Sequence, residues 1–196
     1  MRRLIVSEFV TVDGVMQAPG GVDEDTEGGF QHGGWQMAYF DDMFGRHVMG
    51  GFAETDALLL GRTTYDIFAA YWPHQPEDDP VAPTMNGLKK YVVSDTLEAA
   101  EWANSTVIRG DVPGRIRRLK AEEGKDIRVI GSGTLVQTLA NEDLVDQYDL
   151  MIHPIILGRG KHLFKEGVRT MELRLVDSQV TSTGVLLLTY VPANRA

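Results

Sequence analysis

Short apolar segments alternate with helix-like segments along most of this chain, and this alternation constrains the fold more than any other feature. The segments LIVSEFV (4–10), ALLL (57–60), KKYVVS (89–94) and DIRVIG (126–131) have the composition of strands. ALLL shows no polar alternation, as expected for a strand that is covered on both faces. The order of the elements predicts an α/β fold with a mostly parallel central sheet and helices on both faces.

The end of the chain departs from this alternation. Residues 171–192 have the pattern of two strands joined by a turn around Ser182–Gly184. They predict a C-terminal antiparallel hairpin, which would add an edge to the parallel sheet. Because the chain contains no internal repeat and no clear linker, we predict a single domain over residues 1–196.

Periodic apolar residues predict a first helix over Trp35–Val48, with Gly50–Gly51 just after its end. A second helix is predicted to begin near Thr63, and a polar, proline-rich loop follows over residues 73–87. The glycine- and acid-rich residues 13–34 predict a long, mobile loop. Loops of that length inside a compact domain are usually functional or disordered.

The charge balance narrows the classes of partner. The chain carries 28 acidic and 19 basic residues, a formal net charge of −9, which argues against nonspecific nucleic-acid or anionic-membrane binding. It has no cysteine, and its five histidines lack the spacing of metal ligands, so we expect no metal site. No apolar stretch approaches the ~20 residues of a membrane span. We expect a soluble, cytoplasmic protein.

Three turns at predicted strand ends are candidate binding sites. LLLGRTTY (58–65) places Arg62 where a helix begins, and a helix N-terminus with a guanidinium nearby is suited to phosphate. The alternative is that Thr63 caps the helix and Arg62 is solvated. VVSDT (92–96) places Ser94 after a strand, where its hydroxyl could bind a phosphate or a ribose. The alternative, favoured when this turn is considered alone, is a simple serine-containing turn.

The third turn is Gly131-Ser132-Gly133, between a strand and a helix. A Rossmann fingerprint requires a third glycine, but that position holds Val136, so an ordinary Rossmann domain is disfavoured. Small residues at a helix start still allow a diphosphate to approach the backbone closely. The alternative is a tight strand-to-helix turn without a ligand.

Other candidate residues are acidic or aromatic. In the predicted first helix, Asp41 borders the apolar face, where a carboxylate could anchor a polar heterocycle, whereas two solvated acids are the alternative. His153 lies in an apolar strand and is interpreted as a core or strand-end histidine. The aromatic residues Trp35, Tyr65 and Trp72 could stack on a flat substrate, although core packing explains them equally.

Taken in order, LLLGRTTY, KKYVVSDT, IRVIGSGTLVQTL and LVDQYDLMIHPIILGRGKHLF resemble the motifs of the dihydrofolate reductase-like family. The opening SEFVTVDGVM resembles the branch related to the reductase domain of bacterial riboflavin biosynthesis, the C-terminal half of the bifunctional deaminase–reductase. The resemblance covers nearly the whole chain. It implies a three-layer dihydrofolate reductase-like fold and an oxidoreductase that transfers a hydride from NADPH to a heterocycle, a carbonyl or an imine. The activity would be like that of 5-amino-6-(5-phosphoribosylamino)uracil reductase or of dihydrofolate reductase.

The resemblance also implies which residues meet the cofactor. The diphosphate and adenosine phosphate would be met by Gly61, Arg62, Thr63 and Thr64, and the 2′-phosphate would lie near Ser94. The diphosphate would be cradled by Gly131, Ser132, Gly133, Thr134 and Leu135. The nicotinamide would be bordered by Val12, Asp13 and Gly14.

The substrate side is less well matched to the family. Asp13 or Asp41 would supply the proton, residues 13–34 would form a lid, and Trp35, Tyr65 and Trp72 would line the substrate pocket. The substrate-binding carboxylate of true dihydrofolate reductases has no secure counterpart, which argues against folate, and the zinc module of the bifunctional riboflavin enzyme is missing.

Two alternatives to a reductase therefore stay open. One is a non-catalytic NADP(H)-binding or sensing module, and the other is a structural interaction domain without a ligand. A homodimer that pairs the edges of the C-terminal hairpin is compatible with each of them.

Overall fold

The computed structural model describes residues 1–194 and is built around one eight-stranded sheet. Its strand order is β4-β3-β2-β5-β1-β6-β8-β7, and β8 is antiparallel to both of its neighbours. The remaining pairings are parallel, which confirms the predicted mostly parallel sheet and the C-terminal antiparallel pair. The strands are β1 Leu4–Thr11, β2 Thr55–Gly61, β3 Lys89–Val93, β4 Ser105–Ile108, β5 Asp126–Val129, β6 Gln147–His153, β7 Leu173–Val180 and β8 Leu186–Pro192.

Helices cover both faces of this sheet. The helices are α1 Asp42–Ala53, α2 Arg62–Tyr71, α3 Ala82–Gly87, α4 Val112–Ala121 and α5 Gly133–Asn141. On β2, Leu58 and Leu60 pack with α1, α2 and α3, whereas Ala57 and Leu59 pack with α4 and α5. Because successive side chains of a strand point to opposite faces, β2 is buried on both, as its unbroken apolar run predicted.

The first helix lies further along the chain than its apolar pattern predicted. Residues 37–39 form a short 3₁₀ turn, and α1 begins only after Asp41, whose side chain accepts a hydrogen bond from the backbone N–H of Phe44. Asp41 is therefore the N-cap of α1 and not a residue on its apolar face. The prediction that the helix covers Trp35–Val48 was wrong because it gave apolar periodicity more weight than this capping signal.

Gly50 and Gly51 lie inside α1 rather than after its end, and a buried arginine explains Gly51. Arg128 donates to the carbonyl of Gly51 at 3.1 Å, and a Cβ added at Gly51 would lie 2.7 Å from the guanidinium. The same guanidinium pairs with Asp149 at 3.1 Å. Gly51 thus allows Arg128 on β5 to reach α1 and β6 together.

Two loop predictions had different outcomes. The predicted loop over residues 73–87 contains α3, which is anchored by the buried side chains of Ala82 and Met85. Residues 13–34 do form a long loop, but it is packed: Val15, Ala18 and Phe30 share an apolar cluster with Trp35.

No helix within residues 1–194 is long and apolar enough to span a membrane.

Replacing Arg128 with methionine should destabilise the fold, because it leaves the buried carboxylate of Asp149 without its cationic partner. Breaking a buried pair in this way costs about 3–5 kcal/mol in the free energy of unfolding. Urea denaturation followed by circular dichroism measures the change. The control, Arg115→Met on the exposed face of α4, should change that free energy by less than about 0.5 kcal/mol. Similar stabilities for the two variants would contradict the role of the buried pair.

Candidate functional site

The turn between β5 and α5 reverses the chain with two consecutive left-handed residues. Gly131 has φ +60° and Ser132 has φ +65°. A Cβ at Gly131 would lie 2.8 Å from the hydroxyl oxygen of Thr64, so this position requires glycine for space as well as for its backbone conformation. The turn therefore has a shape that few other sequences can adopt.

The last residue of β2 and the first turn of α2 hold the turn in place. The hydroxyl of Thr64 accepts a hydrogen bond from the N–H of Ser132 at 2.9 Å, and the Ser132 hydroxyl accepts one from the N–H of Gly61 at 2.9 Å. The two strand ends that the sequence identified as candidate sites are thus joined directly. Because β2 and β5 are neighbouring parallel strands, both lie at the carboxyl edge of the sheet, where α/β proteins bind ligands.

The first turn of α5 presents free backbone donors at this edge. The N–H groups of Gly133, Thr134 and Leu135 precede the first bond of the helix, which runs from Val136 to the carbonyl of Ser132 at 3.0 Å. Gly133 carries no side chain, and a Cβ there would lie 2.9 Å from the sulfur of Met16. These features suit a phosphate group that approaches the backbone closely.

The side chains of Arg62 and Ser94 both have partners within the protein. Arg62 lies in the first turn of α2 and pairs with Asp66 at 2.6 Å, and both side chains are about half exposed. An exposed pair of this kind is weak, so the guanidinium can turn to an anion at small cost. Ser94 accepts hydrogen bonds from the N–H groups of Thr96 and Leu97, which is the serine turn that the sequence left open. Thr63 is exposed beside Arg62.

Glu8 is a residue of this site that the sequence analysis missed. One carboxyl oxygen accepts a hydrogen bond from the N–H of Gly131 at 2.9 Å, while the other is buried without a partner. The side chain is only 3% exposed, and this burial raises the pKa of the Glu8 carboxyl well above its usual value. The sequence held a signal, because Val6 and Val10 on either side of Glu8 are core residues of the same strand face.

The residues after β1 reach the same edge of the sheet. Val12 is exposed, and Gly14 has φ +82°. The carboxylate of Asp13 accepts hydrogen bonds from the Thr11 hydroxyl at 2.5 Å and from the N–H of Gly158 at 2.7 Å. The hydroxyl contact is the main cause that lowers the pKa of Asp13. Asp13 therefore carries a negative charge at neutral pH and fixes the segment after β6.

The carboxylate of Asp41, like that of Asp13, accepts several hydrogen bonds. Besides capping α1, it accepts hydrogen bonds from the N–H of Ser182 at 2.8 Å and from its hydroxyl at 2.6 Å. These contacts, the hydroxyl first, lower the pKa of Asp41. The carboxylate links the start of α1 to the turn between β7 and β8.

The three aromatic residues predicted to line a substrate pocket are not brought together. Trp35 lies against His153, with their ring centroids 5.0 Å apart. The Tyr65 hydroxyl accepts a hydrogen bond from the N–H of Trp102 at 3.0 Å, and Trp72 packs in the same cluster as Tyr65. Trp35 makes neither of these contacts and packs instead with Val15, Ala18 and Phe30 of the loop over residues 13–34. His153 is fully buried, as its apolar strand predicted.

The geometry thus combines a phosphate-type turn and a helix N-terminus at one edge of the sheet. Within residues 1–194, no group of three or more histidine, aspartate or glutamate side chains is arranged to hold a metal ion.

Comparison with known proteins agrees with this architecture. The model of the RibD C-terminal domain matches residues 2–187, and the chain belongs to that family. YyaP, an uncharacterized protein of Bacillus subtilis strain 168, is 30% identical over 193 residues, which cover 96% of this chain and 94% of YyaP.

Solved structures share the fold at low sequence identity. A candidate riboflavin biosynthesis protein from Shewanella sp. PV-4 superposes with a TM-score of 0.70 at 21% identity, covering 98% of this chain and 99% of that one. Dihydrofolate reductase from Enterococcus faecalis, complexed with NADP(H) and RAB-propyl, superposes with a TM-score of 0.61 at 12% identity, covering 98% and 97%. The dihydrofolate reductase-like fold is therefore confirmed.

Replacing Glu8 with glutamine should remove one component of the pH dependence of stability. Because its pKa is raised in the folded state, Glu8 keeps a proton that the unfolded chain releases. Its contribution to stability is present below the unfolded pKa of about 4.5 and is lost as pH rises through the folded pKa. In that window the unfolding free energy of the wild type should fall relative to Glu8→Gln by about 1.4 kcal/mol per pH unit.

Urea denaturation at pH 5, 6, 7 and 8 measures this difference. The glutamine carbonyl can still accept from the N–H of Gly131, so the turn is kept. Exposed Glu123 provides the control, and Glu123→Gln should show no comparable divergence. Parallel curves for the wild type and Glu8→Gln would show that Glu8 is ionised in the folded protein.

Proposed function

We propose that this chain is an NADPH-dependent reductase that transfers a hydride to a small substrate with a carbonyl or imine, including pterin- or pyrimidine-like heterocycles. The observation that carries the proposal is the turn Gly131-Ser132-Gly133, which is locked to Gly61 and Thr64 and opens onto the free N–H groups of α5. Membership of the RibD C-terminal domain family and a fold shared with an NADP(H)-bound dihydrofolate reductase support it.

The residues at this edge fit a dinucleotide. Gly133, Thr134 and Leu135 offer backbone donors to a diphosphate, and Thr63 and Arg62 add a hydroxyl and a positive charge beside it. The buried hydroxyl of Ser94 accepts two backbone bonds and lies 3.5 Å from the Thr96 hydroxyl, and its O–H can turn from there to donate to a further phosphate. Val12 and Gly14, at the end of the neighbouring strand β1, would border the nicotinamide.

NADPH supplies the hydride when it is bound, and the protein has to orient the acceptor and exclude water. The loop over residues 13–34 is suited to cover the site, because Lys161 pairs with Asp25 and Glu27 of this loop at 2.6 Å each. We infer that these ion pairs hold the loop closed over the reacting groups.

Completing the reduction also requires a proton donor. Asp13 and Asp41 remain candidates, but the contacts that lower their pKa values keep both ionised at neutral pH. A general acid must carry a proton at the working pH, so these carboxylates are better suited to ordering a water molecule that donates it.

Replacing Gly133 with valine should weaken NADPH binding by at least about tenfold, because the branched side chain lies against Met16 and blocks the approach to the N–H groups of α5. Isothermal titration calorimetry measures the affinity, and the circular dichroism spectrum checks that the variant is folded. The control is Gly50→Ala in α1, where an added Cβ meets nothing within 4 Å. Unchanged affinity in a folded Gly133→Val protein would contradict the proposed cofactor site.

Turnover separates the reductase from the non-catalytic NADP(H)-binding or sensing module. Loss of NADPH absorbance with a panel of carbonyls, imines and pterins is expected for the reductase. Tight NADPH binding without oxidation across that panel would favour the module.

We also propose that the protein forms a homodimer through β7. This edge strand is exposed along nearly its whole length and carries Leu175, Val176 and Val180, which are 48%, 53% and 61% exposed. An exposed strand edge with apolar side chains is a template for pairing with a second copy.

A charged residue at the centre of β7 should disrupt this dimer. Val176→Lys is expected to convert the dimer to a monomer in sedimentation velocity measurements, because the ammonium would be buried in the interface. Val22→Lys, at a residue that is 72% exposed in the 13–34 loop, is the control and should remain dimeric. A monomeric wild type, or a dimeric Val176→Lys protein, would overturn the assignment of β7.

A further inference from the structure

Glu8 places a titratable side chain against the turn between β5 and α5. The side chain points to the α5 face of the sheet, because Val6 and Val10, two residues away on either side, pack in the core on that face. One carboxyl oxygen accepts a hydrogen bond from the N–H of Gly131 at 2.9 Å. The other oxygen is buried and has no hydrogen-bond partner within residues 1–194.

A negative charge would be poorly stabilised on this carboxyl group. A buried carboxylate needs several hydrogen-bond donors or a cation, and the N–H of Gly131 is one neutral donor. Burial therefore outweighs that hydrogen bond and raises the pKa of the Glu8 carboxyl well above its usual value. A glutamine could accept the same hydrogen bond without ever carrying a charge. The property that glutamate adds at this position is the ability to release a proton.

The strands and the helix that pack around Glu8 present mainly apolar side chains to it. Leu150 of β6 is directly opposite Glu8, and Val129 of β5 lies on the same face of the sheet. Residues 133–141, which form α5, contain no charged or histidine side chain. A charge that appears on Glu8 therefore has no counter-charge on α5.

Charged and titratable groups occur on the adjoining segments. Arg128 of β5 and Asp149 of β6 form their ion pair on the opposite face of the sheet, beside α1. The ammonium of Lys165 lies 3.4 Å from the hydroxyl of Thr134, in the first turn of α5. Further titratable residues of these segments are Tyr148 on β6, Asp13 after β1, Arg62 and Asp66 on α2, and His162 after β6.

The turn connects the charge of Glu8 to the place proposed for the diphosphate. The N–H group that Glu8 holds belongs to Gly131, two residues before Gly133, where the free N–H groups of α5 begin. A carboxylate at Glu8 would compete with an anionic ligand for the positive end of the α5 dipole. Two negative groups at one partly buried helix end also repel each other. A neutral Glu8 leaves this end of the helix to the ligand.

We propose that Glu8 couples cofactor binding to the uptake of one proton, so that NADP(H) binds to the protein with Glu8 neutral and binds more weakly once Glu8 is ionised. This proposal rests on the reductase function proposed above and adds the regulation of its cofactor site by pH. Glu8 is a positioning residue, because it acts on the ligand through the turn that it holds. The proton comes from solvent when the cofactor binds and returns to solvent when the cofactor leaves.

The sign of the pH dependence follows from linkage. The affinity for the cofactor falls as pH rises through the pKa of Glu8, because the ionised form is the weaker binder. Coupling is reciprocal, so the bound cofactor raises the pKa of Glu8 further. A residue that only supports the fold would show neither effect.

The pH dependence of NADP⁺ affinity tests this coupling. Calorimetry between pH 5 and pH 9 compares the wild type, the uncharged isostere Glu8→Gln and the control Glu123→Gln, which changes an exposed residue. The wild type and Glu8→Gln should bind with similar affinity at the lowest pH. At the highest pH, the wild type should bind at least about tenfold more weakly than Glu8→Gln, whereas Glu123→Gln should follow the wild type throughout. Titration of NADP⁺ itself and of the other side chains is common to the three proteins.

A second measurement uses the wild type and does not depend on the folding of a variant. In protein labelled with ¹³C at the glutamate side-chain carboxyls, the resonance of Glu8 is assigned by its absence in Glu8→Gln. Saturating NADP⁺ should move the midpoint of its titration to higher pH by about one unit, which corresponds to a tenfold change in affinity. An unchanged or lowered midpoint, or an affinity ratio of wild type to Glu8→Gln that is constant with pH, would overturn the coupling.

The cofactor site and the coupling fail in different ways. If the wild type does not bind NADP⁺ at any pH, the proposed cofactor site is contradicted and the coupling with it. If NADP⁺ binds and the titration of Glu8 does not move, only the coupling is contradicted, and Glu8 is a structural residue of the turn.

Discussion

The organisation of the site depends on how the turn at residues 131–133 is held between two strands. Gly131 donates to Glu8 on β1, and Ser132 donates to Thr64 just after β2, so the turn is fixed from both neighbours of β5. The two left-handed residues could not keep this shape by local preference alone, because Ser132 is not a glycine. Side chains from strands far apart in the sequence therefore orient the N–H groups of α5.

Buried polar atoms without partners lie on both faces of the sheet. Glu8 has an unpartnered oxygen on the α5 face, and His153 has an unpartnered nitrogen on the α1 face. Unsatisfied groups of this kind reduce stability, and each one in a folded protein needs a specific reason. For Glu8 that reason is its other oxygen, which accepts from the N–H of Gly131 and fixes the turn.

Much of the fold follows from local sequence patterns. The unbroken apolar run of β2, the alternation of strands with helices and the glycine-containing turns predicted the sheet and its carboxyl edge correctly. The start of α1 was missed because the apolar residues before Asp41 continue the helical period, although the chain there forms a 3₁₀ turn. The place of Gly51 inside that helix could not be predicted, because it depends on Arg128 arriving from β5.

The sequence predicted the residues of the turns in the candidate site better than it predicted the arrangement of the aromatic residues. Gly61, Thr64 and Ser132 were identified from their positions after strands, and the structure joins them. The three aromatic residues predicted to line one pocket are not brought together, because Trp35 packs against His153 whereas Tyr65 and Trp72 pack in a different cluster. These contacts join segments that are distant in the sequence. Glu8 could have been found from sequence, since it is a charged residue on the core face of β1.

A crystal structure of the protein with NADP⁺ tests the central claim most directly. We expect the diphosphate to contact the N–H groups of Gly133, Thr134 and Leu135 and the nicotinamide to lie beside Val12–Gly14. Cofactor density at any other edge of the sheet, or a diphosphate that does not contact the start of α5, would contradict it.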